Sequence, residues 1–356
     1  LRKIPALIIC VLLILTTLLM ACSQTPAPAP TITVTPTGSP TQAPHPIVSV
    51  ANWCAPATTG AYGQWLAVEA VAKKNHPWLR LLTAETPGFV YNLKAHSEQP
   101  ELWDNTIIGS NPLTIYFGAK KIAPFTESIV GYRNLFIFNS FVYWFVTLDP
   151  NIKTVQDLAG KKLGLGLKGQ VGWVTAPEYI LKEGLGILDE INVQYLGPAQ
   201  AAQALIDGTV DVSLGAGYVN PKTMEFSAAP DLIQLTASGK KLYHIPIPAD
   251  LTNKVGQAGP PLTPKMMKSG VVKDMDQDTS TSSYEGTGFA AKDVFPEDLA
   301  YEITKLVMEN IDELKGYQDI FKLMSPEGMA EPFTKVTMHS GSVRAFEEAG
   351  ITIPEK

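Results

Sequence analysis

Two short stretches of the 356-residue chain carry groups suited to holding an anion: Thr58-Thr59-Gly60-Ala61-Tyr62 and Lys168-Gly169-Gln170-Val171-Gly172-Trp173. Each lies where a strand-like pattern gives way to a helix-like one. The first N–H groups of a helix have no intrahelical partner, and that end carries about half a positive charge, so a carboxylate fits there. Thr58 and Thr59 add hydroxyl donors, Gly60 lets backbone come close, and Tyr62 offers a ring with a polar tip. On the second stretch Lys168 adds a cation, and Gly169, Gln170 and Val171 present backbone amides. Asn111, Tyr218 and Asn220 follow other predicted strands and join the candidate set. Plainer readings stand beside these. Thr59 reads equally well as a simple helix cap. Lys168 fits a solvated surface charge, Gly169 and Gly172 fit a turn, and Trp53 and Trp173 fit packing roles.

Such residues need a scaffold that gathers strand ends, and the periodicity supplies one. Residues 47–53, 79–84 and 103–109 read as strands, with helices over 61–74 and 88–96 and a weaker one over 112–120. Residues 128–134 and 136–148 read as further strands, the second a dense aromatic run with core and hinge character. A clearer cassette follows: strands at 162–167, 192–196 and 210–214 alternate with helices at 173–183 and 198–207, each helix stopped by a glycine. That alternation predicts a parallel sheet covered by helices, with ligands outside the carboxyl ends of the strands. Residues 249–282 are polar and aperiodic and read as a long excursion, and 296–315 as an amphipathic helix.

Composition narrows the function classes. No Lys/Arg-rich run interrupts an acidic chain of net charge −6, which argues against nucleic acid. The five histidines (45, 76, 96, 244 and 339) show no metal-ligand spacing, and no cofactor is implied. A surface enzyme with Cys54 as nucleophile would need a nearby base, and no signature around Cys54 points to one.

The N-terminal region reads as a secretory lead. Arg2 and Lys3 precede an apolar run, Ile4 to Met20. The run closes on Leu19-Met20-Ala21-Cys22, which resembles the lipobox of bacterial lipoproteins and implies lipidation at Cys22. Cleavage there leaves 26 basic residues against 34 acidic and Cys54 as the one remaining free cysteine. Residues 23–46, with seven prolines among Thr, Ala and Ser, cannot bury a core. They form a tether of up to roughly 70 Å.

Further segments carry a family resemblance. "TVQDLAGKKLGLGLKGQVG", "YLGPAQAAQALIDGTVDVSLGAG", "DVFPEDLAYEITK" and the closing "MHSGSVRAFEEAGI" occur in order, after "TTGAYGQWLAVEAVAK". Together they resemble the solute-binding proteins of TRAP transporters, in the TAXI branch, with His339, Gly341, Glu348 and Gly350 in the closing motif. Two segments depart from the pattern: Cys54-Ala55-Pro56-Ala57 stands for a glycine-rich loop, and 249–275 resembles an insertion. The resemblance implies a type II periplasmic-binding-protein fold, with two α/β lobes joined by a two-crossing hinge. It divides the chain into signal 1–21, tether 22–46, first lobe 47–150 plus 245–356, and second lobe 151–244. It further implies a membrane-anchored, extracytoplasmic, non-enzymatic protein. Such a protein passes a small carboxylate or amino acid to an ion-gradient-driven permease. A binding protein of an ATP-driven importer and a ligand sensor of the same fold are the alternatives.

Overall fold

A computed structural model describes residues 46–57 and 59–356. The signal, the tether, Cys22 and Thr58 lie outside the described residues. In chain order the strands are β1 (Val48–Trp53), β2 (Leu79–Ala84), β3 (Thr106–Ser110), β4 (Tyr132–Ile137) and β5 (Ser140–Thr147). They continue with β6 (Lys162–Leu165), β7 (Asn192–Tyr195), β8 (Val212–Val219), β9 (Phe226–Ala228) and β10 (Tyr243–Ile245). The last three are β11 (Thr263–Met267), β12 (Thr279–Glu285) and β13 (Gly288–Lys292).

They form two sheets. The first has the order β2-β1-β3-β13-β4, and the second β11-β12-β5-β8-β6-β7, with β10 beside β5 and β9 beside β8. In the first sheet β1 runs parallel to β2 and β3, while β13 returns antiparallel. Three helices follow its strands: α1 (Gly60–Asn75), α2 (Phe89–Ser97) and α3 (Pro112–Lys120). The alternation of strands and helices thus gives the expected α/β class, as two sheets that mix parallel and antiparallel strands.

Burial explains the layers. On α1, Trp65, Val68 and Val71 are buried against the first sheet, whereas Leu66 is exposed. Each such large apolar side chain contributes about 1.5–3 kcal/mol by leaving water. The C-terminal helices Glu297–Glu309 and Ser340–Glu348 cover the same sheet. The closing motif acts here. His339 caps the last helix by accepting the Gly341 amide at 3.3 Å. A Cβ on Gly341 would stand 2.1 Å from the Glu297 carbonyl, so glycine sets the helix–helix approach.

Three expectations are corrected. The aromatic run 136–148 is two strands in two sheets, broken at Phe138-Asn139. All eight residues of β5 are buried, and it needs a partner on each edge; β12 and β8 supply them in the second sheet. The chain therefore changes sheet at 138–139 and again at 286–287, not near 150 and 245, and 140–147 and 243–285 belong with the second sheet. Finally, 249–282 is ordered structure: the helix Ala249–Gln257, β11 and the start of β12. Thr281, Ser282 and Ser283 are buried on β12. Small hydroxylated side chains can fill a sheet interior while hiding the apolar alternation that announces a strand.

The two crossings are paired. Phe138 N donates to the Thr287 carbonyl at 2.7 Å, and Gly286 N to the Asn139 carbonyl at 2.9 Å. A Cβ on Gly286 would meet Asn139 Oδ1 at 2.8 Å, which requires a residue without a side chain there. Beside them Ser140 Oγ donates to Glu285 at 2.6 Å.

Candidate functional site

Strand ends from both sheets open onto one cavity of about 510 Å³. Four helix starts meet there. Thr59 and Ala61 come from α1 after β1, Gly88 and Phe89 from α2 after β2, Asn111 from α3 after β3, and Val171 and Gly172 from the helical segment after β6. Each start brings N–H groups that the helix cannot use. Their convergence makes the cavity a region of positive potential.

The capping side chains are partly committed. Thr59 Oγ1 donates to the Pro56 carbonyl at 2.7 Å and accepts from Tyr62 N at 3.4 Å. Asn111, buried, accepts the Thr114 amide on Oδ1 at 2.8 Å, which leaves its NH2 group as remaining hydrogen-bonding capacity. Gln170 accepts the Leu167 amide on Oε1 at 2.8 Å and closes the loop between β6 and its helix. That loop is tight. A Cβ on Gly166 would stand 2.4 Å from Gln170 Oε1 and 2.5 Å from Trp173 Cβ, and Gly169 takes φ of +94°. Lys168 is exposed at the rim, its ammonium 4.6 Å from the centroid of the Tyr195 ring. Tyr195 in turn donates to Glu178 at 2.5 Å, so the ring that carries the cation is itself held.

Aromatic side chains form another part of the lining. Phe141 on β5 is the hub, with ring centroids of Trp173 at 5.1 Å, Tyr284 at 5.4 Å and Tyr218 at 5.6 Å. Burial pushes the Tyr218 phenol up to about 12 and Tyr284 above the usual tyrosine range, so both stay protonated at neutral pH. Gly172 lets the helical segment settle on β12: a Cβ there would lie 1.8 Å from the Tyr284 hydroxyl oxygen.

Of the residues selected from sequence, Thr59, Asn111, Lys168, Gly169, Gln170, Val171 and Tyr218 line the cavity. Two others lie elsewhere. Tyr62 turns away and packs against the first core. Asn220 is buried as a tie: its Nδ2 donates to the Leu323 carbonyl at 2.8 Å, while Oδ1 accepts the Lys222 and Thr223 amides at 2.8 and 2.9 Å. Sequence reasoning passed over the Pro87–Tyr91 turn, although Pro-Gly after a predicted strand signals a strand-to-helix junction. It also passed over Phe141, Tyr284 and Thr287, which reach the cavity through antiparallel pairings with no local sequence signal. Cys54 is fully buried, burial raises its thiol pKa above the usual range, and its Sγ is bound to the Asn52 carbonyl at 3.4 Å. That setting suppresses the thiolate a nucleophile needs. Among the described residues no His/Cys/Asp/Glu group could hold a metal ion, and no helix is long and apolar enough to cross a membrane.

The chain is similar to several solved structures, each at low identity and with a TM-score below 0.5. A TctC solute-binding protein from Polaromonas is 14% identical, covering 85% of this chain and 97% of its own, with a TM-score of 0.48. MatC from Rhodopseudomonas palustris with bound malate is 13% identical, covering 78% and 89%, with a TM-score of 0.47. The alkanesulfonate-binding protein SsuA from Xanthomonas axonopodis pv. citri, bound to MOPS, is 12% identical, covering 86% and 85%, with a TM-score of 0.40. Similarity this low fixes neither solute nor transport partner. The sequence match runs from the start of β4 to just past the end of the last helix: over residues 132–350 the chain belongs to the NMT1-like family.

Proposed function

We propose that the protein is an extracytoplasmic solute-binding protein of the TAXI type. It captures a small carboxylate or amino-acid-like solute between two lobes and delivers it to an integral-membrane TRAP permease. A lipid on Cys22 holds it at the outer face of the membrane, with residues 22–46 as spacer. The observation that carries this reading is the convergence of four helix starts, from strands of both sheets, on one cavity of about 510 Å³. Buried ligands of this kind are held by lobes that move about a few hinge residues. Among the described residues the paired crossings at 138–139 and 286–287 are the two passages between the sheets, and in this reading they supply that hinge.

The test is a thermal-shift screen of the full chain over organic acids and amino acids, followed by small-angle scattering with the best binder. A ligand at about 100 times its Kd adds about 2.7 kcal/mol to stability, a readily measured shift. A smaller radius of gyration with ligand is expected. An unchanged radius at saturation contradicts closure, and a screen without any binder contradicts solute capture. For the anchor, Cys22→Ser should abolish acylation in metabolic labelling; wild-type protein free of lipid contradicts it.

A further inference from the structure

The lining of the cavity is chemically lopsided. Among the described lining residues Lys168 is the one ionised side chain, with no Asp, Glu, Arg or His beside it. The described arginines, Arg80, Arg133 and Arg344, are not among the lining residues. Glu85, at the edge of the first lobe, takes the Ala57 amide at 2.7 Å and does not line the cavity. Against this single charge stand six aromatic rings. Phe89 and Tyr91 come from the start of α2, and Phe141, Trp173, Tyr218 and Tyr284 form one cluster around Phe141.

From this arrangement we infer the solute class: a flat aromatic acid with a single negative charge, rather than a dicarboxylate or an amino-acid zwitterion. The inference rests on the solute-capture reading above and narrows it. The carboxylate sits with the Lys168 ammonium and the helix-start amides, a charge-assisted arrangement. The ring lies between the Phe89–Tyr91 turn and the wall centred on Phe141, where rings pack offset or edge to face. A volume of about 510 Å³ accommodates one or two fused rings.

Charge excludes the competitors. The ammonium of an amino acid would be desolvated with no carboxylate to receive it, and Lys168 and the helix starts would repel it. The second carboxylate of a dicarboxylate would be pressed onto aromatic faces, which carry the negative side of the ring quadrupole. Aromatic faces do attract quaternary ammonium ions, but here no acidic side chain supports one and the resident charge is positive.

Isothermal titration of the full chain with 2-naphthoate, 2-naphthamide, L-glutamate, malate and trimethylglycine decides the matter. Naphthoate should bind, and the neutral amide of the same shape should bind about tenfold more weakly for want of the charged contact. Lys168→Met should close that gap; Lys168 is exposed, so the fold is not at stake. Tyr91→Ala removes a ring that is 47% exposed, and should weaken naphthoate binding severalfold while the melting temperature holds. Equal binding of naphthoate and naphthamide by the wild type overturns the inference. So does tighter binding of glutamate, malate or trimethylglycine, which would leave solute capture standing with another ligand class. Silence from naphthoate also overturns the aromatic-acid class. Solute capture itself falls separately, through the broad screen described above.

Discussion

Replacing Asp231 by Asn should make the protein more stable at pH 8 and leave it nearly unchanged at pH 4. Asp231 sits in the first turn of the helix Pro230–Ala237, is 3% exposed, and has no hydrogen-bond partner on Oδ1. Burial pushes its carboxyl up to about 7, against the opposing pull of the Asp231 and Leu232 amides. In the unfolded chain the value is about 3.9. Between those two values the folded protein holds a proton that the unfolded chain has released. Stability from this group is therefore fully present below about pH 4 and falls by about 1.4 kcal/mol per pH unit until about pH 7. The whole loss is about 4 kcal/mol as an upper bound, since three units separate the two values. Buried His96, its pKa lowered to about 4, acts with the opposite sign: its contribution is present above the unfolded value near 6.5 and lost as pH falls through 4. The two trends oppose one another between pH 4 and 6.5 in the wild type. The informative quantity is thus the difference between wild type and Asp231→Asn in urea unfolding at pH 4, 5.5, 7 and 8, because the histidine drops out. A gap that widens from pH 4 to 7 and then levels is expected. A gap independent of pH refutes the assignment of a buried, proton-holding carboxyl.

Gly172→Ala should destabilise the fold by about 1–3 kcal/mol in urea melts and weaken solute binding together, because the new Cβ drives Tyr284 out of the cavity wall. Unchanged binding and stability would mean that Tyr284 relaxes freely. Tyr62→Phe should bind like wild type in calorimetry, since Tyr62 packs on the first core rather than lining the cavity; a tenfold loss would put it back at the site. Cys54 should resist thiol reagents until the protein is unfolded, and solute binding should be unaffected by the treatment; rapid labelling of the native chain contradicts its burial.

Much of the architecture is legible wherever local pattern and tertiary role agree. The alternation from 162 to 214 reads directly, and Gly208 stops the second helix with positive φ as expected; Gly184 does not stop the first, whose helical segment runs on to a cap at Gly186. The loops at Thr59, Asn111 and Gly169–Val171 are legible for the same reason, being strand-to-helix junctions. What stays hidden depends on pairing at a distance. No local feature tells that β5 leaves the first sheet, or that the Ser/Thr-rich β12 is interior and brings Tyr284 to the cavity. Asn220 misleads in the opposite way. It follows a strand as a ligand residue would, yet its amide is consumed in joining that strand end to Leu323 and Ser325. Tyr62 misleads by helical phase: three positions after the cap, its ring points to the core rather than past the helix start.

The most direct test of the account is a structure of the full chain with its solute bound. It should show the solute between the Lys168–Trp173 loop and the Phe89–Tyr91 turn, its anionic group toward Lys168 and its body against Phe141, Trp173 and Tyr284. A solute found instead in the separate cavity of about 420 Å³ beside Lys94, Trp103 and Lys292, or on the surface, would contradict the account.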